Sequence, residues 1–167
     1  QELLIKKIDN LKSLKSKYIE GKNPFILTLK IIDYKGYSQN IIFNLNSEIK
    51  ASIGDAIINE SGIIGTVQSI KNNNLSVKAL SDPSSHFAVV SKRTGQHFIA
   101  HGLGYNNLIE LKFVSDNEDI KEGDIILTSG MGDHLPHGLQ VGTVTSVDIP
   151  PGAAFFIVKI KLFSQPG

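Results

Sequence analysis

One strand–turn–strand pattern occurs twice in this chain, and that duplication limits the available folds more than any other feature. Residues 54–70 read GDAIINESGIIGTVQSI, and residues 123–147 read GDIILTSGMGDHLPHGLQVGTVTSV. Each copy opens on Gly-Asp (Gly54-Asp55, Gly123-Asp124) and runs into an apolar strand. Each then passes a glycine-bearing loop and ends in Gly-Thr-Val-x-Ser-apolar, from Gly65 to Ile70 and from Gly142 to Val147. Gly-Asp makes a tight turn in which φ can be positive. The glycine before Thr-Val permits a sharp bend or the close passage of another backbone. The second copy carries the longer loop, Met131 to Gly138. Two copies predict two small tandem β-barrels of about 60 residues each. Units of that size are marginal alone, so a shared buried interface is expected.

The rest of the chain agrees with a mostly β protein. Apolar runs such as Phe87–Val90, Leu108–Phe113 and Phe155–Ile160 alternate with Gly, Asn, Asp and Pro clusters. That is the rhythm of barrels and sandwiches. Phe25–Ile32 reads as a strand, Asp33-Tyr34-Lys35-Gly36 as a turn and Ile41–Leu45 as a second strand. Residues 1–22 differ. Leu4, Ile8, Leu11, Lys15 and Tyr18 are spaced 4, 3, 4 and 3, a heptad seam on an amphipathic helix that Gly21 and Pro24 end. The expected organisation is a helix over 1–22, a first barrel over 23–80 and a second over 81–149. Whether 150–163 returns to complete the first barrel is left open.

Charge excludes little. The net charge is +1, but six lysines against three acids give residues 1–22 a balance of 6 − 3 = +3, leaving −2 for the body. A lysine-rich face is solvated by default, with acidic lipid or an acidic partner as the functional alternative. With 7% aromatic residues overall and a net-negative body, the chain lacks the basic, aromatic-lined groove of a nucleic-acid binder. There is no cysteine, hence no disulfide framework and no thiolate zinc site. No run approaches a membrane span. Gln1 at the start, with Met131 as the only methionine, implies a piece of something longer, with any membrane anchor upstream.

No catalytic constellation assembles. His97 and His101 are four apart in a strand-like stretch, which separates them by about 13 Å, too far for one ion. His134 and His137 enclose Pro136 in a loop with no acidic ligand at useful spacing. Asp82, Ser84, Ser85 and His86 read as a turn, and Gly102-Leu103-Gly104 opens no helix. There is no serine elbow, phosphate loop or HExxH. The expectation is a non-catalytic interaction protein with no metal, cofactor or small-molecule substrate. Its candidate contacts are apolar groups in turns, namely Tyr34, Tyr37, Leu103, Tyr105 and Leu135.

Several motifs carry a resemblance. They are Gly62-Ile63-Ile64-Gly65-Thr66-Val67, Leu80-Ser81-Asp82, Arg93-Thr94-Gly95 and His101-Gly102-Leu103-Gly104. The most specific is Gly123-Asp124-Ile125-Ile126-Leu127-Thr128-Ser129-Gly130, followed by Leu135-Pro136-His137-Gly138-Leu139-Gln140-Val141-Gly142. Together they resemble the rod shape-determining MreC family, with Leu135 standing where that family usually has Phe. The resemblance implies structural roles for Gly54, Asp55, Gly62, Gly65, Gly123, Asp124, Thr128, Ser129, Gly130, Pro136, Gly138 and Gly142. It also implies a coiled-coil end with seam residues Leu4, Ile8, Leu11 and Tyr18. The implied protein is a scaffold of the cell-elongation machinery on the periplasmic face of the bacterial inner membrane, anchored by an upstream helix. The implied partners are an elongation-specific penicillin-binding transpeptidase, MreB, MreD, RodA and further copies of itself, as dimer or filament. The competing class is a generic β-barrel adaptor or inactive protease-like interaction domain.

Overall fold

The computed structural model describes residues 30–35, 40–44, 51–131 and 135–164. Among them the chain is all β. The first unit contains β1 (Lys30–Lys35), β2 (Asn40–Asn44), β3 (Ala56–Asn59), β4 (Gly62–Lys71) and β5 (Asn74–Ala79). The second contains β6 (His86–Ser91), β7 (His97–Gly102), β8 (Leu108–Val114), β9 (Ile125–Thr128), β10 (Gln140–Asp148) and β11 (Phe156–Leu162). Every pairing is antiparallel. The second unit is a closed barrel in the order β10-β11-β8-β7-β6-β9. The first is a sheet in the order β1-β2-β5-β4-β3.

The sequence repeat is a structural repeat down to single hydrogen bonds. In each copy the Gly-Asp turn docks on the Thr-Val strand. Gly54 N–H donates to Val67 C=O and Gly123 N–H to Val144 C=O, both at 2.8 Å. Val67 N–H returns a bond to Asp55 C=O and Val144 N–H to Asp124 C=O, both at 2.9 Å. Each aspartate carboxylate also caps the turn it closes, accepting from Ser52 N–H at 2.8 Å and Lys121 N–H at 2.9 Å. Each copy carries two bulges at matching places, Ile64 and Gln68 on β4 and Val141 and Thr145 on β10. The glycine before Thr-Val acts by close approach. A Cβ on Gly65 would stand 2.1 Å from Lys78 O, and one on Gly142 would stand 2.2 Å from Lys161 O.

The equivalence runs further than the repeated motif. Strands β1 to β5 match β7 to β11 in chain order and in neighbours, and β6 is the additional strand that closes the ring between β7 and β9. Of the two expected tandem β-barrels, the second is a closed barrel. Among the described residues the first unit is a five-stranded sheet with β1 and β3 at its edges. The question left open for 150–163 is also answered in physical terms. Strand β11 is the hairpin partner of β10, as β5 is of β4, and it pairs on its other edge with β8. It therefore belongs to the second unit's barrel.

The two units share a core. Ile63 on β4 and Leu80 after β5 are buried with Val89, Ile109, Leu111, Ile126, Val141 and Ile160 of the barrel, while Ala56 and Ile58 pack against that cluster. Each fully buried aliphatic side chain contributes about 1.5–3 kcal/mol. Gly62 brings the backbones together, since a Cβ there would meet Gln140 O at 2.2 Å. Ser164 Oγ donates to Asn59 Oδ1 at 2.7 Å across the same seam. A smaller cluster of Ile41, Phe43, Val67, Leu75 and Val77 fills the first sheet.

Asp33, Tyr34 and Lys35 continue β1 instead of turning, because a bulge at Ile32 carries the ladder on to Lys35 opposite Asn40. The helix over 1–22, with its seam Leu4, Ile8, Leu11 and Tyr18, and Tyr37 lie outside the described residues.

Candidate functional site

The motif residues that are far apart in sequence meet in three clamps. The first is the Thr-Ser-Gly loop of the second copy. Thr128 is fully buried, and its hydroxyl donates to Pro136 C=O at 2.5 Å while accepting from Leu139 N–H at 2.9 Å. Thr128 also exchanges backbone bonds with Leu139 C=O and Gly138 N–H, both at 2.9 Å. Ser129 C=O contacts His137 Nδ1 at 2.9 Å, and Gly130, at φ +72°, leaves no room for a Cβ beside His137. The loop from 128 to 139 is thereby pinned at both ends.

The second clamp is ionic. Arg93 Nε and Nη2 donate to the two oxygens of Asp124 at 2.7 and 2.9 Å. Its Nη1 and Nη2 reach the carboxylate of Asp119 at 2.7 and 3.0 Å. Such two-point pairing fixes orientation as well as charge. The guanidinium bonds hold both carboxyls below the usual aspartate range, against the opposing effect of burial, and hold Arg93 firmly charged. The third clamp joins the inter-unit connection to the β7–β8 loop. Gly104 N–H donates to Ser81 C=O at 2.7 Å and Gly102 N–H to Ser85 C=O at 3.2 Å. A Cβ on Gly102 would collide with Asp82 O at 2.1 Å. Asp82 itself accepts from Ser84 N–H and Oγ at 2.8 and 2.6 Å, which is the turn read from the sequence.

Beside that connection lies a cleft of about 240 Å³ between the units, lined by Thr66, Lys78, Ser84, Ser85, His86 and Leu135 among others. His86 and His101 face each other across β6 and β7 with ring centroids 6.0 Å apart. Burial lowers the pKa of His101, and its Nδ1 is buried without a hydrogen-bond partner. His97 and His101 do lie on one strand, β7, as the spacing argument required. Among the described residues no three or more His, Asp or Glu side chains form a group suited to a metal ion.

The sequence-derived contact residues separate. Tyr105 is exposed at the β7–β8 turn, and Leu103 is half-buried. Leu135 is a correction: it is 7% exposed and belongs to the barrel core. The Thr128 bond to the neighbouring Pro136 anchors the loop there, and the Leu135 side chain packs inward. Tyr34 lies on β1, not in a turn. The exposed apolar side chains that sequence reading passed over are Phe113, Phe155 and Ile149, together with Ile53, Ile70, Ile99 and Met131. A signal for Phe113 was present, because the adjacent pair Phe113-Val114 breaks the alternation of Ile109 and Leu111.

Comparison with known proteins matches this geometry. The model of the rod shape-determining protein MreC barrel core matches residues 32–167. The cell shape-determining protein MreC of Haemophilus influenzae is 34% identical over 125 residues, covering 75% of this chain and 36% of that protein. Its Bacillus subtilis counterpart is 30% identical over 154 residues, covering 84% of this chain and 51% of that protein. The chain thus spans between about a third and a half of the curated relatives it matches. The crystal structure of MreC from Pseudomonas aeruginosa superposes with a TM-score of 0.77 at 30% identity, covering 83% of this chain and 91% of that one. The fold is also that of the MreC in a complex between penicillin-binding protein PBP2 and MreC from Helicobacter pylori, with TM-score 0.60, 16% identity and coverage of 78% and 80%. A duplicated β unit, a closed six-stranded barrel and motif residues committed to holding it therefore come with a plain assignment: the chain belongs to the rod shape-determining MreC family.

Proposed function

We propose that this chain is a non-catalytic scaffold of the bacterial cell-elongation machinery, maintaining rod shape by binding a penicillin-binding transpeptidase and regulating peptidoglycan synthesis. One observation carries the reading: the chain shares its barrel fold with the Helicobacter pylori MreC solved in complex with PBP2. The geometry supports it. Thr128, Arg93, Asp119 and Asp124 are engaged in internal clamps, which suits a rigid binding surface better than a reaction centre. In this reading the chain stands on the periplasmic face of the inner membrane, held by an upstream membrane helix. It links MreB, MreD and RodA to wall synthesis and associates with further copies of itself.

The two units, joined by a common core, act as one arm that favours the open, active state of the transpeptidase. Tight binding is insufficient for that. Moving a two-state partner from 1:99 to 99:1 needs a preference of about 10⁴-fold for the open state. The test mixes the folded chain with the transpeptidase ectodomain and measures both binding and the acylation rate by a fluorescent penicillin. Binding with faster acylation supports the reading. No binding at tens of micromolar refutes it, and binding with unchanged acylation refutes the activating mechanism.

A further inference from the structure

At one end of the barrel β8 and β10 finish beside the start of β11, with Val114 opposite Phe156 and Asp148 opposite Ile157. A bulge interrupts β8 there, so that Lys112 and Phe113 together face Ile157. Phe113 consequently sits at φ +56°, a conformation that glycine and asparagine adopt cheaply and a phenylalanine does not. Burial does not offset that strain, since Phe113 is 71% exposed. Its ring packs edge-on against Phe155, centroids 5.4 Å apart at 75°, and Phe155 is itself exposed. Ile149, one residue past Asp148, is exposed at the same end. The connection that presents Phe155 is stiff. Ala153 N–H donates to Pro150 C=O at 3.1 Å with Gly152 at φ +74°, the turn that a Pro151-Gly152 pair prefers.

The charges around this patch are mostly acidic. Segments 113–119 and 146–156 hold Asp116, Glu118, Asp119 and Asp148 and no Lys or Arg. Asp119 is engaged by Arg93 and Lys121. Lys112, just before the first segment, stands opposite Ile99 of β7. Strain held without burial at an exposed aromatic points to function. A pre-organised aromatic centre within a charged rim is the anatomy of a protein-binding hot spot. The acidic rim disfavours an anionic lipid surface and favours a partner with cationic flanks.

We propose that Phe113, Phe155 and Ile149 anchor a docking surface for an apolar segment of the transpeptidase flanked by Lys or Arg. This rests on the transpeptidase reading above and adds where contact is made. The test titrates the transpeptidase ectodomain against the full 167-residue chain and its Phe113→Gly, Phe155→Ser and Tyr105→Ser variants. Glycine accepts the backbone of position 113, so Phe113→Gly should melt within about 4 °C of wild type. Its affinity and that of Phe155→Ser should fall at least tenfold, while Tyr105→Ser, at the other end of β8, binds as wild type does. Should Phe113→Gly fail to fold, Phe155→Ser decides.

Wild-type binding with both phenylalanine variants unaffected overturns this surface and leaves the transpeptidase reading standing. No wild-type binding overturns both. Two controls separate other occupants. If the phenylalanine variants change only the sedimentation of the chain alone, or only its binding to phosphatidylglycerol vesicles, the patch serves a second copy or a membrane, and the proposal fails.

Discussion

Replacing Gly142 by alanine tests the physical account of the repeat. Gly142 does not have a left-handed φ, so the substitution adds a Cβ without backbone strain. That Cβ would lie 2.2 Å from Lys161 O and 2.8 Å from Ile160 Cγ2, where ordinary contact begins beyond 3.4 Å. Strands β10 and β11 must therefore part by roughly 1 Å. Overpacking of this kind costs about 1–3 kcal/mol, and one weakened ladder bond adds about 1 kcal/mol. A total of about 3 kcal/mol lowers the melting temperature of a chain this size by roughly 6–12 °C. Gly65→Ala, with its Cβ 2.1 Å from Lys78 O, should behave alike. Gly123 is the contrast, being glycine for its φ of +85° with nothing within 4 Å of its Cβ. Asparagine tolerates that φ, so Gly123→Asn should cost under about 1 kcal/mol, whereas Gly142→Asn should cost as much as the alanine. Thermal and urea unfolding followed by circular dichroism read all four. Gly142→Ala within about 0.5 kcal/mol of wild type would refute the close-approach reasoning.

Thr128→Val removes a hydroxyl that makes two buried bonds and should destabilise by about 2–4 kcal/mol, while Thr128→Ser retains most of the stability; equal denaturation midpoints would contradict the clamp. Leu135→Asp places a carboxylate in the barrel core, so it should cost at least about 3 kcal/mol and lose near-ultraviolet dichroism; a native spectrum would return Leu135 to the surface. Acid should weaken the fold in two windows. The depressed His101 pKa means its contribution is present above about pH 6.5 and is lost as pH falls toward the folded value, so His101→Gln should flatten the stability slope just below pH 6.5. The depressed Asp119 and Asp124 values mean that a second contribution is present above about pH 4 and is lost below it, which Arg93→Met should remove.

How much of this was legible differs from element to element. Gly-Asp and Gly-Thr-Val-x-Ser mark backbone requirements that glycine meets by lacking a Cβ, so the repeat could be read directly. Leu135 was misread because loop position was taken for exposure. The Thr128 hydroxyl that pins its neighbour Pro136 lies eight residues from that proline, beyond any local pattern. The Arg93–Asp124 pairing spans 31 residues and depends on the barrel closing. Phe113 escaped because it continues the parity of Ile109 and Leu111, and only the break at Val114 marks the one-residue bulge that exposes it. Strand β6 was seen as an apolar run, but its closing of the ring between β7 and β9 is a long-range fact.

The position of β11 also governs how the molecule is made. Until residues 156–162 leave the ribosome, β8 and β10 present two unpaired edges, and the ring cannot close. The barrel therefore completes only once its last strand is made, through contacts of high sequence separation, which form slowly. A chain stopped at residue 155 would keep the strands of the first unit, yet expose both edges to other nascent chains. Losing this one strand should therefore yield an aggregating product instead of a shortened scaffold.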